Sequence, residues 1–198
     1  MNVIYLHGFL SSPRSSKAQQ TIAWCQQSES DIRLHVPELD DSPAGVIASL
    51  QDHIDQHRGE PLALIGSSLG GYYATCLAER NQLPAALINP AVRPYERWRE
   101  FIGEHRNYYS TRVHTVTEQH VRELQDLDHE PLQFAANYLL LVQTGDEVLD
   151  YRMAIEKYRG STCLVQEGGD HSFQNYADLL PTIFDFFALQ KCAFGAIK

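Results

Sequence analysis

A serine set between glycines is the feature of this sequence with the clearest potential for chemistry. Residues 66–70 read GSSLG, and they lie between a short apolar run and a segment with helical spacing. A Gly-x-Ser-x-Gly pattern on such a strand-to-helix turn exposes the serine hydroxyl and strains its backbone. The positions two before and two after that serine have no room for a Cβ. Ser68 meets this condition, whereas Ser67 would place Ile65 and Leu69 there, so Ser68 is the predicted nucleophile.

A serine hydroxyl needs a partner that removes its proton. Histidine serves as that base, and a carboxylate holds the imidazole in the right tautomer. In sheets that carry this turn, the partners follow in the order serine, acid, histidine, in loops at the carboxyl ends of later strands. Of nine histidines, His171 alone lies in a glycine-rich loop between the last predicted strand and the last predicted helix. His171 is therefore the predicted base.

The acid is predicted from its position after an earlier strand. Asp146 directly follows a glycine at the end of an apolar run, where its side chain can turn toward His171. Glu147 and Asp150 are rivals, interpreted here as surface or helix-capping groups. Asp170 adjoins the histidine, and neighbouring side chains in an extended loop diverge. We interpret Asp146 as the acid and keep Glu147 and Asp150 as alternatives.

An acyl-transfer intermediate also needs hydrogen-bond donors for its negatively charged oxygen, commonly two backbone amides. The first predicted donor is the amide of Leu69, which follows the serine at the positive end of a helix. The second is the amide of Phe9, in the loop after the first strand. His7 precedes the serine in the chain, so we interpret it as a structural residue of that loop and not as the base.

Short apolar runs alternate with longer amphipathic ones, which predicts an α/β protein with a mostly parallel sheet flanked by helices. The predicted strands are 3–6, 32–36, 62–65, 85–88, 138–142 and 162–165. The predicted helices are one within 13–28, and 44–56, 69–80, 151–158 and 178–189. In the last helix, Ile183, Phe184, Phe187 and Leu189 are interpreted as one core-facing side.

Segment 90–131 interrupts this alternation. It is rich in charged residues, with tyrosine, tryptophan and phenylalanine among them. An insertion of this length predicts a lid over the site, and the alternative is a set of surface helices without a role in binding. No linker divides the rest, so 1–198 is predicted to be a single domain.

Composition excludes several functions. The formal net charge of −9 disfavours nucleic acid and anionic membranes as partners. No apolar run approaches the roughly 20 residues that span a bilayer, and the start shows no secretory signal pattern, so we expect a cytoplasmic protein without a membrane span. His53 and His57 are one helical turn apart, but no third ligand is in view and a solvated helix face is the interpretation. We expect neither a metal nor an organic cofactor.

Longer motifs extend over most of the chain: YLHGF followed by SSPRS (5–15), GSSLGGYYAT (66–75), NPAVRP (89–94), TGDEVLDYR (144–152) and EGGDHSF (167–173). Together they resemble the YqiA-like esterases, a bacterial family of the α/β-hydrolase superfamily. The resemblance implies an α/β-hydrolase fold and carboxylesterase activity on acyl esters, with thioesters such as acyl-CoA as possible substrates. It places the nucleophile at Ser68, the acid at Asp146 and the base at His171.

Residues and resemblance together predict a serine carboxylesterase that acts on a small-molecule ester or thioester through an acyl-enzyme. The same triad would serve an acyltransferase or a C–C bond hydrolase, because one fold hosts many chemistries. A non-catalytic ligand-binding protein of this fold is the third alternative. It predicts the loss of a triad residue, and none is lost here. Acyl preference and oligomeric state stay open.

Overall fold

A sheet with helices on both faces organises the chain. The computed structural model describes residues 1–28 and 31–195, with side chains described as far as Gln190. The strands are β1 (Asn2–Leu6), β2 (Arg33–His35), β3 (Leu62–Ser67), β4 (Ala85–Ile88), β5 (Gly103–Arg106), β6 (Val113–Val116), β7 (Tyr138–Gln143) and β8 (Thr162–Gln166). The helices are α1 (Ser16–Gln27), α2 (Pro43–Gln56), α3 (Leu69–Asn81), α4 (Tyr95–Trp98), α5 (Glu118–Asp126), α6 (Tyr151–Lys157) and α7 (Leu180–Gly195).

The main sheet has the strand order β2-β1-β3-β4-β7-β8, and each neighbouring pair is parallel. Parallel neighbours need a crossover connection, which the helices provide. The predicted strands all exist, each within two residues at both ends. The prediction of a mostly parallel sheet flanked by helices is therefore confirmed. Since β3 lies inside the sheet, the turn that follows it has loops from other strands on both sides.

Alternate residues of the inner strands pack on opposite faces of the sheet. Ile4 and Leu6 of β1 join the core formed with α2, α3 and α5. Val3 and Tyr5 join the second core, which α1 and α7 cover. Burial on both faces explains why these strands are continuous apolar runs and not alternating ones.

Helix α7 corrects one expectation. Ile183, Phe184 and Phe187 are buried, as predicted, but Leu189 is 72% exposed. At about 100° per residue, Leu189 lies roughly 120° around the helix from Ile183, so it leaves the face that packs on the sheet. Phe186, which the sequence analysis did not place on the buried face, is also buried.

Segment 90–131 contains an element that the sequence analysis did not predict, the antiparallel hairpin of β5 and β6. In β6 the side chains alternate between exposed and buried, which is the ordinary signal of a half-buried strand. The hairpin contacts the loop after β1, because the Tyr108 amide donates to the Leu10 carbonyl at 2.9 Å and Asn107 Nδ2 donates to the Ser11 carbonyl at 2.8 Å. These hydrogen bonds attach the hairpin to the loop after β1.

A buried ion pair anchors the other end of this segment. Lys157 Nζ lies 2.6 Å from Asp128 Oδ1, and the Tyr95 hydroxyl donates to Asp128 Oδ2 at 2.7 Å. The Lys157 side chain is only 2% exposed and that of Asp128 16%. Burial raises the pKa of Asp128, but the hydrogen bonds from Lys157 and Tyr95 outweigh it and hold that pKa below its ordinary value.

Replacing Asp128 with asparagine leaves the Lys157 charge buried without a counter-charge. We expect Asp128→Asn to lower the free energy of unfolding by about 3 kcal/mol near neutral pH, measured by urea denaturation. Because the folded-state pKa is depressed, the wild-type advantage should persist above the unfolded value of about 3.9 and disappear as the pH falls through the folded one. Asp126→Asn, an exposed neighbour on α5, is the control. Equal stability of the two variants would contradict the anchoring role.

Candidate active site

Ser68 lies on the sharp turn between β3 and α3. Its backbone has φ 55° and ψ −122°, so the strained conformation predicted from the sequence is confirmed. A Cβ on Gly66 would lie 2.5 Å from the carbonyl oxygen of Gly70, and one on Gly70 would collide with the Leu6 carbonyl. The Ser68 carbonyl accepts from the amide of Ala91 at 3.0 Å, which links the turn to the loop after β4.

The structure brings the predicted nucleophile, base and acid together. Nε2 of His171 is 3.1 Å from Oγ of Ser68, a contact between residues 103 positions apart. Nδ1 of the same ring is 2.8 Å from Asp146 Oδ2 and 3.0 Å from Oδ1. The three side chains form a continuous hydrogen-bonded row from carboxylate to hydroxyl, the geometry in which an imidazole can take a proton from serine.

Asp146 is held in its charged form although its side chain is only 2% exposed. Burial raises its pKa, but the hydrogen bonds from the His171 ring and from the amides of Leu149 and Val148 outweigh burial and leave the pKa below its ordinary value. Both amides donate to Asp146 Oδ1 at 2.9 Å. A carboxylate accepts but does not donate, so His171 carries its proton on Nδ1 and presents the Nε2 lone pair to Ser68.

The rival acids have other partners. Glu147 Oε2 accepts from the backbone amide of His171 at 3.0 Å, so it holds the loop and not the ring. Asp150 caps α6 by accepting from the Arg152 amide at 3.0 Å, as its capping interpretation predicted. Asp170 accepts at Oδ2 from a glutamine amide. Among the described residues, Asp146 is the carboxylate that contacts the His171 ring.

A buried glutamine that the sequence analysis missed organises the loop carrying the histidine. Gln143 Oε1 accepts from the amides of Asp170 at 3.1 Å and Gln174 at 2.9 Å. Its Nε2 donates to the Gln174 carbonyl at 2.9 Å and to Gln166 Oε1 at 2.8 Å. Asn89 adds a bond from Nδ2 to the Asp170 carbonyl at 3.1 Å. The sequence signal that could have identified it is a polar residue at the end of an apolar strand. Burying such a side chain costs free energy unless it is hydrogen-bonded, so its presence indicates partners.

The loop after β1 lies directly against the serine. A Cβ on Gly8 would be 3.2 Å from the Cβ of Ser68. Phe9 and Leu69 line the same cavity as Ser68. In residues 1–28 and 31–195, neither of their backbone amides donates a hydrogen bond to a carbonyl of a turn or loop. Both amides are therefore available to an oxygen beside the serine, and their oxyanion role stays a prediction.

His7 is buried in this loop, with 4% of its surface exposed. Its Nδ1 donates to the Gly8 carbonyl at 3.0 Å. Burial lowers the pKa of His7, so the ring is neutral at physiological pH. Its position within the loop agrees with the structural interpretation made from the sequence.

A cavity of about 780 Å³ opens onto Ser68 and His171. One wall is aromatic and comes mainly from segment 90–131: Phe9, Trp98, Phe101, Tyr108 and Tyr109. The ring centroids of Phe9 and Trp98 are 4.7 Å apart, and Phe9 and Phe101 are 6.0 Å apart. The cavity is large enough for a drug-sized organic molecule.

His35 on β2, His53 on α2 and His57 just after α2 do not line this cavity. The rings of His35 and His53 stack with their centroids 4.2 Å apart, and the His57 ring is tilted against that of His53 with centroids 4.5 Å apart. In the part of the chain that the structure describes, no three His, Cys, Asp or Glu side chains are grouped so as to hold a metal ion. Over the same residues, no helix is both long enough and apolar enough to cross a membrane.

The family model with the description "Uncharacterised protein family (UPF0227)" matches residues 2–188. The chain belongs to this family. It is the YqiA-like family that the motifs resemble, so that prediction is confirmed. The match includes the triad candidates and segment 90–131.

Solved structures show the fold. Alpha/beta hydrolase domain-containing protein 10 from mouse is similar with a TM-score of 0.74 and 16% identity, over 97% of this chain and 90% of that one. Est1E from Butyrivibrio proteoclasticus has a TM-score of 0.71 and 18% identity, over 97% and 88%. The esterase domain of a Rhodothermus marinus protein has a TM-score of 0.62 and 18% identity, over 97% and 85%. The predicted α/β-hydrolase fold is confirmed.

Removing the Gln143 side chain should loosen the histidine loop while the sheet stays folded. We expect Gln143→Ala to speed amide hydrogen exchange at Asp170 and Gln174 about tenfold, because both amides lose their acceptor. Peptide-level exchange measured by mass spectrometry checks this. Gln190→Ala, which removes a surface glutamine that bonds the Ala136 carbonyl, is the matched control. Unchanged exchange in the Gln143 variant would mean that other contacts hold the loop.

Proposed function

We propose that this chain is a serine carboxylesterase that hydrolyses acyl esters, including thioesters such as acyl-CoA, through a covalent acyl-enzyme. One observation carries the proposal: His171 Nε2 is 3.1 Å from Ser68 Oγ while its Nδ1 is 2.8 Å from Asp146 Oδ2. The Rhodothermus marinus structure with the same fold adds support, because it is an esterase domain. Chemistry on the fold varies, so the triad geometry is the stronger ground.

In the acylation step, Ser68 Oγ attacks the acyl carbonyl carbon as its proton passes to His171 Nε2. The carbonyl oxygen becomes an oxyanion, for which the amides of Leu69 and Phe9 serve as donors. The carboxylate of Asp146 stabilises the imidazolium through its bond to Nδ1. The intermediate collapses when the bond to the leaving group breaks. His171 returns its proton to the departing alcohol or thiol, and the acyl group stays on Ser68.

Deacylation repeats these roles with water as the nucleophile. His171 takes a proton from the water as it attacks the ester of Ser68. A second oxyanion forms between the same two amides. Collapse breaks the bond to Ser68 Oγ, the proton on His171 returns to the serine, and the acid product leaves. No step calls for a group beyond these residues and water.

We also propose that segment 90–131 is a lid that forms the acyl-binding wall. Trp98, Phe101 and Tyr109 from this segment line the cavity that opens onto Ser68. The segment packs on the loop after β1 through its hairpin and on α6 through the Asp128–Lys157 pair. An apolar wall beside the nucleophile suits a hydrocarbon acyl chain.

Covalent labelling tests the nucleophile without knowledge of the substrate. A fluorophosphonate loses fluoride to an activated serine, so intact-mass spectrometry should show one adduct on the wild type and none on Ser68→Ala. Ser67→Ala is the matched control and should label like the wild type. Ester turnover by Ser68→Ala should fall by about 10³-fold to 10⁶-fold. An adduct on Ser68→Ala, or none on the folded wild type, would contradict the proposal.

The lid proposal is tested by chain-length preference. Phe101→Ala removes an aromatic wall, so kcat/KM for 4-nitrophenyl decanoate should fall roughly three- to tenfold while that for the acetate changes little. Val113→Ala, at an exposed site on the β5–β6 hairpin of the same segment, should leave the ratio of kcat/KM for the two esters unchanged. Equal losses on both esters would show that Phe101 supports the fold and does not contact the acyl chain.

A further inference from the structure

Arg93 is a cation in the wall of the cavity, and its backbone is strained. It lies in the loop after β4 with φ 46°, a left-handed conformation that an arginine seldom adopts. Pro94 follows it, and α4 begins one residue later. Strained residues of this kind cluster at ligand sites, where the surroundings hold them in place. The sequence analysis did not single out Arg93.

The same loop is hydrogen-bonded to the nucleophile. The amide of Ala91, two residues before Arg93, donates to the Ser68 carbonyl at 3.0 Å. Two peptide units span at most about 7 Å, so the Arg93 backbone lies close to the serine turn. The cavity that opens onto Ser68 and His171 is also lined by Arg93.

The Arg93 side chain is short of acceptors. Its Nε is buried and has no hydrogen-bond partner. Within the described residues the ion-pair partner of this Nε is Glu96, whose Oε1 is 3.6 Å away, too far for a hydrogen bond. The Arg93 side chain is 41% exposed and that of Glu96 49%, so the rest of the guanidinium is open to the cavity and the solvent. Arg97 lines the same cavity but has a carbonyl acceptor, because its Nη1 donates to Val148 at 3.3 Å. A guanidinium has five N–H donors, and a buried donor without an acceptor is unfavourable.

We propose that Arg93 binds an anionic group of the substrate, a carboxylate or a phosphate, beside the reacting ester. Resting on the proposed esterase function, this makes the substrate class negatively charged acyl esters or thioesters. A guanidinium matches both anions with paired N–H donors. The chain carries a formal net charge of −9, so its overall field opposes such a substrate and the local cation must offset it.

Two ester pairs test the proposal and locate the charge. Mono-4-nitrophenyl adipate against 4-nitrophenyl hexanoate places a carboxylate on the acyl side, and 4-carboxyphenyl hexanoate against phenyl hexanoate places it on the leaving group. In the pair whose carboxylate reaches Arg93, Arg93→Gln should lower kcat/KM for the charged ester about tenfold and change kcat/KM for the neutral ester less than twofold. The pair that shows this effect tells whether the anion lies on the acyl side or on the leaving group. Arg93→Lys should recover part of the loss, because it restores the charge but not the fork.

Arg97→Gln is the matched control, since it removes a cation from the same cavity but not the one that lacks an acceptor. It should leave the ratio of charged to neutral ester within threefold of the wild type. Equal losses in the Arg97 and Arg93 variants would mean a diffuse field and overturn the proposal. So would an Arg93→Gln loss that is the same for charged and neutral esters.

Binding to a variant that cannot turn over separates this inference from the proposed function. Isothermal titration of Ser68→Ala with the same four esters measures affinity whether or not the wild type is an esterase. Adding Arg93→Gln should weaken binding of a charged ester about tenfold and leave its neutral partner unchanged. If the wild type hydrolyses no ester but this difference is present, the esterase proposal fails and the anion site stands. No difference would remove the anion site.

Discussion

The arrangement of the candidate site at the carboxyl edge of the sheet depends on the close packing of α3 against β1 and β3. A Cβ at Gly70 would overlap the Leu6 carbonyl, and one at Gly66 would overlap the backbone of α3. This contact forces Ser68 into its strained turn and holds its hydroxyl clear of the sheet. The loop after β1 then lies beside the serine, and Ala91 attaches the loop after β4 to the same turn. The predicted nucleophile, the two proposed amide donors and the loop that carries Arg93 therefore all lie around this one turn.

A second constraint is the charge on buried Asp146. The carboxylate is stable there because the His171 ring and two backbone amides donate to it. Those bonds set the orientation and tautomer of the imidazole. Gln143 and Asn89 hold the loop from below, with every polar atom of the Gln143 side chain hydrogen-bonded. The histidine therefore sits on a rigid support, which suits transfer of a proton to and from a fixed serine.

The parts of this molecule that local patterns specify could be predicted from sequence. The turn at Ser68 has a glycine signature, and buried parallel strands are apolar runs, so the sheet and the serine follow from nearby residues. The choice among Asp146, Glu147 and Asp150 could not be derived that way, because it depends on side-chain direction in a single loop. Gln143 escaped because its partners are 23 to 31 residues away in the chain. Arg93 escaped because its place beside Ser68 depends on how the loop after β4 packs on the serine turn. The β5–β6 hairpin escaped because burial in β6 does not follow side-chain polarity: His114 is buried and Val113 is exposed.

The hydrogen bond between Ser68 and His171 joins residues 103 positions apart, and this has a consequence for folding. Such a contact closes a long loop and forms late, after the local turns and helices. During synthesis, the part of the chain that contains Ser68 emerges before His171 has been added. Any reactivity of Ser68 that depends on His171 must therefore await docking of the last strand. Acquisition of that reactivity during refolding would report completion of the whole sheet.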